Sequence, residues 1–156
     1  MKKVRKITIA ITSFLVLITS FFCLFGCVQK KSEDEIARDR IISLTEIEVP
    51  IESKIVYHSR EATKFLTGRR AMYTVFEFES EPTDWLNKNS FNKEKNSEFE
   101  RFFPSVFDFL PVKREEIPQE FLPNFEESYY YLRTTNRVYF VYIPKSFLLI
   151  VGIPGH

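Results

Sequence analysis

Three apolar segments near the end of the chain constrain its fold most: SYYYLR (128–133), RVYFVYI (137–143) and SFLLIVGI (146–153). Each is rich in aromatic and branched side chains, as pleated strands require, and each is too short for a packed helix. The connections between them are Thr134-Thr135-Asn136 and Pro144-Lys145. Asn tolerates the left-handed conformation and Pro presets the first turn position, so both connections suit hairpins. Links of this length leave no room for a crossover, and the three segments pair antiparallel as a meander. The last, at 147–153, is apolar on both faces and reads as a covered, central strand.

Two further strands are expected upstream. SKIVYHS (53–59) places Ile55 and Tyr57 on one face and Val56 and His58 on the other. In RRAMYTVFEFES, Met72, Thr74, Phe76 and Phe78 alternate with Tyr73, Val75, Glu77 and Glu79, which gives one core face and one face that is partly wet. Pro82-Thr83-Asp84 opens a short helix carrying Trp85 and Leu86. Phe99, Phe102, Phe103, Val106, Phe107 and Leu110 recur at helical spacing, with a break at Pro104. The class is α+β: an antiparallel sheet of about five strands ending in the three-strand meander, with one or two helices packed on one face.

The N-terminus has a different composition. Lys2, Lys3, Arg5 and Lys6 precede an uncharged run over 7–26, the layout of an export signal; the run is also long enough to serve as an uncleaved membrane span. It ends in Leu24-Phe25-Gly26-Cys27. That tetrad resembles the lipobox of bacterial lipoproteins, in which an aliphatic residue and two further apolar or small ones precede the acylated cysteine. The resemblance covers the first 27 residues. It implies a diacylglycerol thioether on Cys27, later acylation of the palmitate type, and removal of residues 1–26. The expected organisation is a signal over 1–26, a lipid-anchored tether with a short solvated helix over 27–42, and a single domain over 43–156. The protein would lie in a bacterial membrane on its non-cytoplasmic side. Val28 is not the acidic residue that the resemblance links to inner-membrane retention, which favours the outer membrane in a two-membrane host.

Loss of the signal removes four basic residues and leaves 18 Lys and Arg against 21 Asp and Glu, a net charge of −3. Nucleic-acid partners ask for a basic face and are not expected. Cys23 and Cys27 are the only thiols, so the mature chain has neither a catalytic cysteine nor a disulfide scaffold. With Gly68 and Gly152 the only glycines between Cys27 and residue 155, a phosphate-cradling loop is not expected either. His58 and His156 are the only histidines, and beyond Glu61 neither has a ligand-type residue at useful spacing. No metal, cofactor or catalytic set is assigned, and His58 is expected at an exposed strand end.

The remaining candidates are binding residues. Glu77 and Glu79 share a strand face, where their carboxylates project in parallel rather than across a cleft. Arg69 and Arg70 could hold an anionic group, and Trp85 with one ring of Tyr129, Tyr130 and Tyr131 could offer an aromatic platform. The expected function is a non-catalytic interaction domain that meets an envelope protein partner. An inhibitor or immunity-type lipoprotein with an acidic patch is the alternative, and a cell-wall hydrolase is a third reading that needs converging carboxylates.

Overall fold

The computed structural model describes residues 31–60 and 71–155. Cys27, Arg69, Arg70 and His156, like the turn expected before Gly68, lie outside the described residues. Glu33–His156 forms one compact unit. Its elements are helix α1 (Glu33–Thr45), strands β1 (Lys54–Arg60) and β2 (Met72–Glu77), helices α2 (Thr83–Lys88) and α3 (Ser97–Phe102), a 3₁₀ turn at Phe103–Phe109, and strands β3 (Tyr130–Arg133), β4 (Tyr139–Ile143) and β5 (Leu148–Ile153).

The sheet is antiparallel throughout, in the order β1-β2-β5-β4-β3. The α+β class, the five strands and the C-terminal meander are as the sequence implies, with β5 central, between β2 and β4. One local register differs. A bulge between Ile55 and Tyr57 inserts Val56, so Ile55 faces Phe76 while Tyr57 faces Val75 on the other side of the sheet. The extra residue reverses the alternation that the sequence pattern assigns to β1.

Both faces of the sheet are covered, whereas the sequence reading leaves one of them partly wet and places the helices together. On the first face Met72, Phe76, Phe140, Tyr142, Leu149 and Val151 pack beneath Ala37 and Ile41 of α1 and Leu86 of α2. On the second, Tyr73, Val75, Tyr139, Val141 and Ile150 pack beneath Phe99 of α3 and Phe103 and Val106 of the 3₁₀ turn. The Trp85 and Phe99 segments therefore lie on opposite faces. Each large apolar side chain removed from water contributes roughly 1.5–3 kcal/mol, and a sheet buried on both sides gathers that contribution twice per strand.

α1 is longer and better docked than a solvated spacer. It runs to Thr45, whose Oγ1 donates to the Ile41 carbonyl (2.7 Å) and accepts from the Ile47 amide (3.1 Å), and Glu46 leaves the helix at φ 61°. Arg38 fixes the return chain by donating to the carbonyls of Val49 (3.0 Å), Pro50 (3.0 Å) and Ser53 (2.6 Å). α3 starts at Asn96, whose side-chain oxygen accepts from the Phe99 amide at 2.9 Å. Pro104 then lacks the amide an α-helix needs, and the segment tightens into the 3₁₀ turn. Gly152 makes that approach possible: a β-carbon there would stand 2.7 Å from Val106 Cγ2.

Candidate functional site

The registers sort the strand ends into two rows. Arg60 pairs with Met72 and Met72 with Ile153, while Gly152 pairs with Tyr139 and Tyr139 with Arg133. These residues mark the near end, so called because α1 begins there: Glu33 Oε1 lies 2.9 Å from Arg60 Nη2. α1 then crosses to the β3–β4 turn, where Asn136 Nδ2 donates to the Leu44 carbonyl at 2.6 Å. At the far end Lys54 pairs with Glu77, Glu77 with Leu148 and Leu148 with Ile143.

The far end gathers the acidic candidates. Glu77 closes β2 and Glu79 follows in a bend, and both are exposed. Neither forms an ion pair among the described residues. Two apolar side chains that the sequence reading does not single out stand at the same end. Ile51, in the turn that leads into β1, is 85 % exposed, and Phe147, just before β5, is 39 % exposed. Phe147 sits at φ 55° with its carbonyl accepting from the Phe78 amide at 3.0 Å, a conformation that costs a non-glycine residue free energy and turns the ring outward. The sequence pattern puts Phe147 in the covered strand over 147–153, but β5 begins at Leu148 and the turn geometry leaves Phe147 at the surface.

The other described candidates are engaged in packing and hydrogen bonds to differing degrees. Trp85, half-buried, donates from Nε1 to the Glu48 carbonyl at 2.7 Å and packs its ring on Phe91 at 5.1 Å, which ties it to the loop after α1. Tyr73 and Val75 are buried, which leaves Glu77 and Glu79 as the open part of their strand face. Tyr129 is buried, its hydroxyl donating to Glu100 Oε1 (2.7 Å) and accepting from the Asn96 amide (3.1 Å). Burial first, and then the bond to Glu100, push its pKa up to about 12. Tyr130 and Tyr131 are half-buried, bonded to Glu81 and Asn96 respectively.

His58 is not at an exposed strand end. Its side chain is 14 % exposed, with Nδ1 2.9 Å from Thr74 Oγ1 and Nε2 3.9 Å from Glu33 Oε2. Burial lowers its pKa, the Glu33 and Asp34 carboxylates oppose that shift, and Arg60 reinforces it. Thr74 is fully buried, and through His58 its contacts connect the sheet to Glu33 in the first turn of α1.

The near end holds a hollow of about 370 Å³ lined by Phe102, Phe109, Arg133, Arg137, Tyr139 and Gly155. Its charged groups are cationic, and Phe102 lies under two guanidinium groups, at 4.8 Å from Arg101 and 5.3 Å from Arg133. Converging carboxylates, which acid–base glycan hydrolysis needs, do not line it. Among the described residues no group of three His, Cys, Asp or Glu side chains is placed to hold a metal ion, and no helix is long and apolar enough to cross a membrane.

No family model matches the chain, and the searches of curated proteins and of solved structures return no match.

Proposed function

We propose that the protein is a lipid-anchored envelope domain that binds a protein partner at the far end of its sheet. Cys27 is the tether, and the partner surface is basic with an apolar centre. The observation that carries this reading is the grouping of the carboxylates Glu77 and Glu79, without an ion pair among the described residues, with the exposed side chains of Ile51 and Phe147. Apolar anchors supply most interface energy, while surrounding charges set encounter rate and partner choice. The end that carries this patch is opposite the one where the chain enters α1, so a tethered domain would hold it toward the compartment. An inhibitor of a basic exported enzyme would present the same surface, and the identity of the captured partner separates the two readings.

The test is affinity capture from solubilised membranes with the full chain, comparing the native protein with E77Q/E79Q. The double variant should keep its melting temperature within a degree or two, because both groups are exposed and form no ion pair among the described residues. Partner recovery should fall, and fall most at low ionic strength, where rim charges are least screened. Undiminished capture by both E77Q/E79Q and Ile51→Ser would place the binding surface elsewhere.

A further inference from the structure

We propose that the near end of the sheet rests on an anionic phospholipid surface, with the Phe102 and Phe109 rings entering the interface and Arg101, Arg133 and Arg137 meeting head-group phosphates. The proposal rests on the membrane-anchoring reading above and assigns the anchored domain an orientation. Three observations lead to it.

The first is where the chain comes from. α1 begins at Glu33, held to the near end by the 2.9 Å contact with Arg60, and Cys27 is six residues earlier. Six residues at full extension reach about 20 Å, less than the length of a small domain, so the near end cannot stand far from the anchor. The second is charge. Arg101, Arg133 and Arg137 are exposed and have no ion pair among the described residues. The acids of the α1 first turn belong to the opposite face of the sheet from the hollow, and Glu33 is engaged by Arg60; Asp108, exposed beside Phe109, and Glu98, exposed one turn before Arg101, offset part of the positive charge. Each arginine close to an anionic leaflet adds favourable electrostatics that decay within about a Debye length, roughly 8 Å at physiological salt.

The third is the apolar content. Phe109 is 53 % and Phe102 37 % exposed, although both belong to a segment whose neighbours Phe103 and Val106 are fully buried. Arg133 spans Phe102 and Tyr139 at 5.3 and 5.5 Å, so its guanidinium is held beside the rings rather than free in solvent. Rings at the surface flanked by guanidinium groups match the layered polarity of a head-group region, apolar below and phosphate above. A free phosphate would use the arginines but leave the two rings unexplained.

The test uses the full chain reconstituted in vesicles. A fluorophore is placed at Ser105→Cys beside the hollow or at Ser146→Cys at the far end, and nitroxide head groups serve as the quencher. Vesicles of phosphatidylcholine are compared with vesicles containing about 30 % phosphatidylglycerol, since charge is the variable of interest. The residue-105 label should be quenched, more so with phosphatidylglycerol, and the residue-146 label should not. R133Q/R137Q should lower the contact population by about fivefold per arginine removed. R137Q alone, in an exposed turn, provides the same reading if the double variant unfolds.

Equal quenching at both labels, indifference to phosphatidylglycerol, or capture of inorganic phosphate or an acidic peptide without quenching at 105 would overturn the proposal. The mass of the N-terminus in the same preparation reports separately on Cys27. An unacylated chain that is still quenched at 105 removes the lipid anchor and upholds the contact; an acylated chain without quenching does the reverse.

Discussion

Two buried tyrosine hydroxyls differ in what surrounds them, and the difference sets opposite outcomes for the same substitution. Tyr142 Oη is buried without a hydrogen-bond partner among the described residues, while its ring meets Phe78 edge-on at 6.0 Å. Removing an unsatisfied hydroxyl relieves a desolvation cost, so Tyr142→Phe should leave stability unchanged or raise it by about 1 kcal/mol. Tyr129→Phe breaks a charge-assisted bond to Glu100 and should cost about 1.5–3 kcal/mol. Chemical denaturation of the two variants checks the pair, and equal losses would mean that Tyr142 finds a partner. His58 gives a pH dependence. The unfolded side chain takes its proton near pH 6.5 and the folded one only at lower pH, so between those values the unfolded state binds more protons. Stability from this group is therefore unaffected well above pH 6.5 and falls as pH drops below it. Melting temperatures between about pH 7.5 and 5.5 should decline less steeply in His58→Gln than in the native chain. Parallel slopes would show that the Glu33 carboxylate compensates the burial in full.

At the scale of elements, what could be read in advance follows from the kind of interaction involved. The meander was legible because short connections and apolar runs leave one pairing, and β2 because its alternation is regular and its partner β5 matches it residue for residue. α1 is harder to read because much of its hold on the domain is not hydrophobic: Ala37 and Ile41 are its buried residues, while Arg38 donates to three carbonyls of the segment that returns to β1, Glu33 meets Arg60, and the Leu44 carbonyl accepts from Asn136. A side chain bonding to backbone eleven to fifteen residues later leaves no periodic trace. The far-end candidates Glu77 and Glu79 are visible in the β2 pattern, whereas Ile51, Phe147 and Arg137 depend on turns that aim them outward. Arg38→Ala should accordingly cost about 2–3 kcal/mol, more than a surface arginine, since it strands buried carbonyls as well as a helix. Thermal melts beside Arg137→Ala as a surface control would decide this, and similar small losses in both would demote Arg38 to a solvated contact.

For the whole molecule, the decisive question is where the folding unit begins. Ala37 and Ile41 lie in the same apolar cluster as Phe76, Phe140, Leu149 and Val151, so α1 is a layer of the domain and not part of the leader to it. A chain starting at Ser32 keeps every layer and should fold with a cooperative transition and low binding of hydrophobic dyes. One starting at Glu46 loses the α1 cover from the first face of the sheet. The loss of Ile41 alone removes a fully buried side chain worth about 2–5 kcal/mol in a large-to-small substitution, and the uncovered strands then present a contiguous apolar patch. With a net stability of roughly 5–15 kcal/mol for a domain of this size, the shorter chain should either fail to accumulate or bind dye and self-associate. Gel filtration and dye binding of the two forms test the boundary. A monomeric, cooperatively melting chain from Glu46 would show that the folding unit begins after Thr45 and that α1 is dispensable to it.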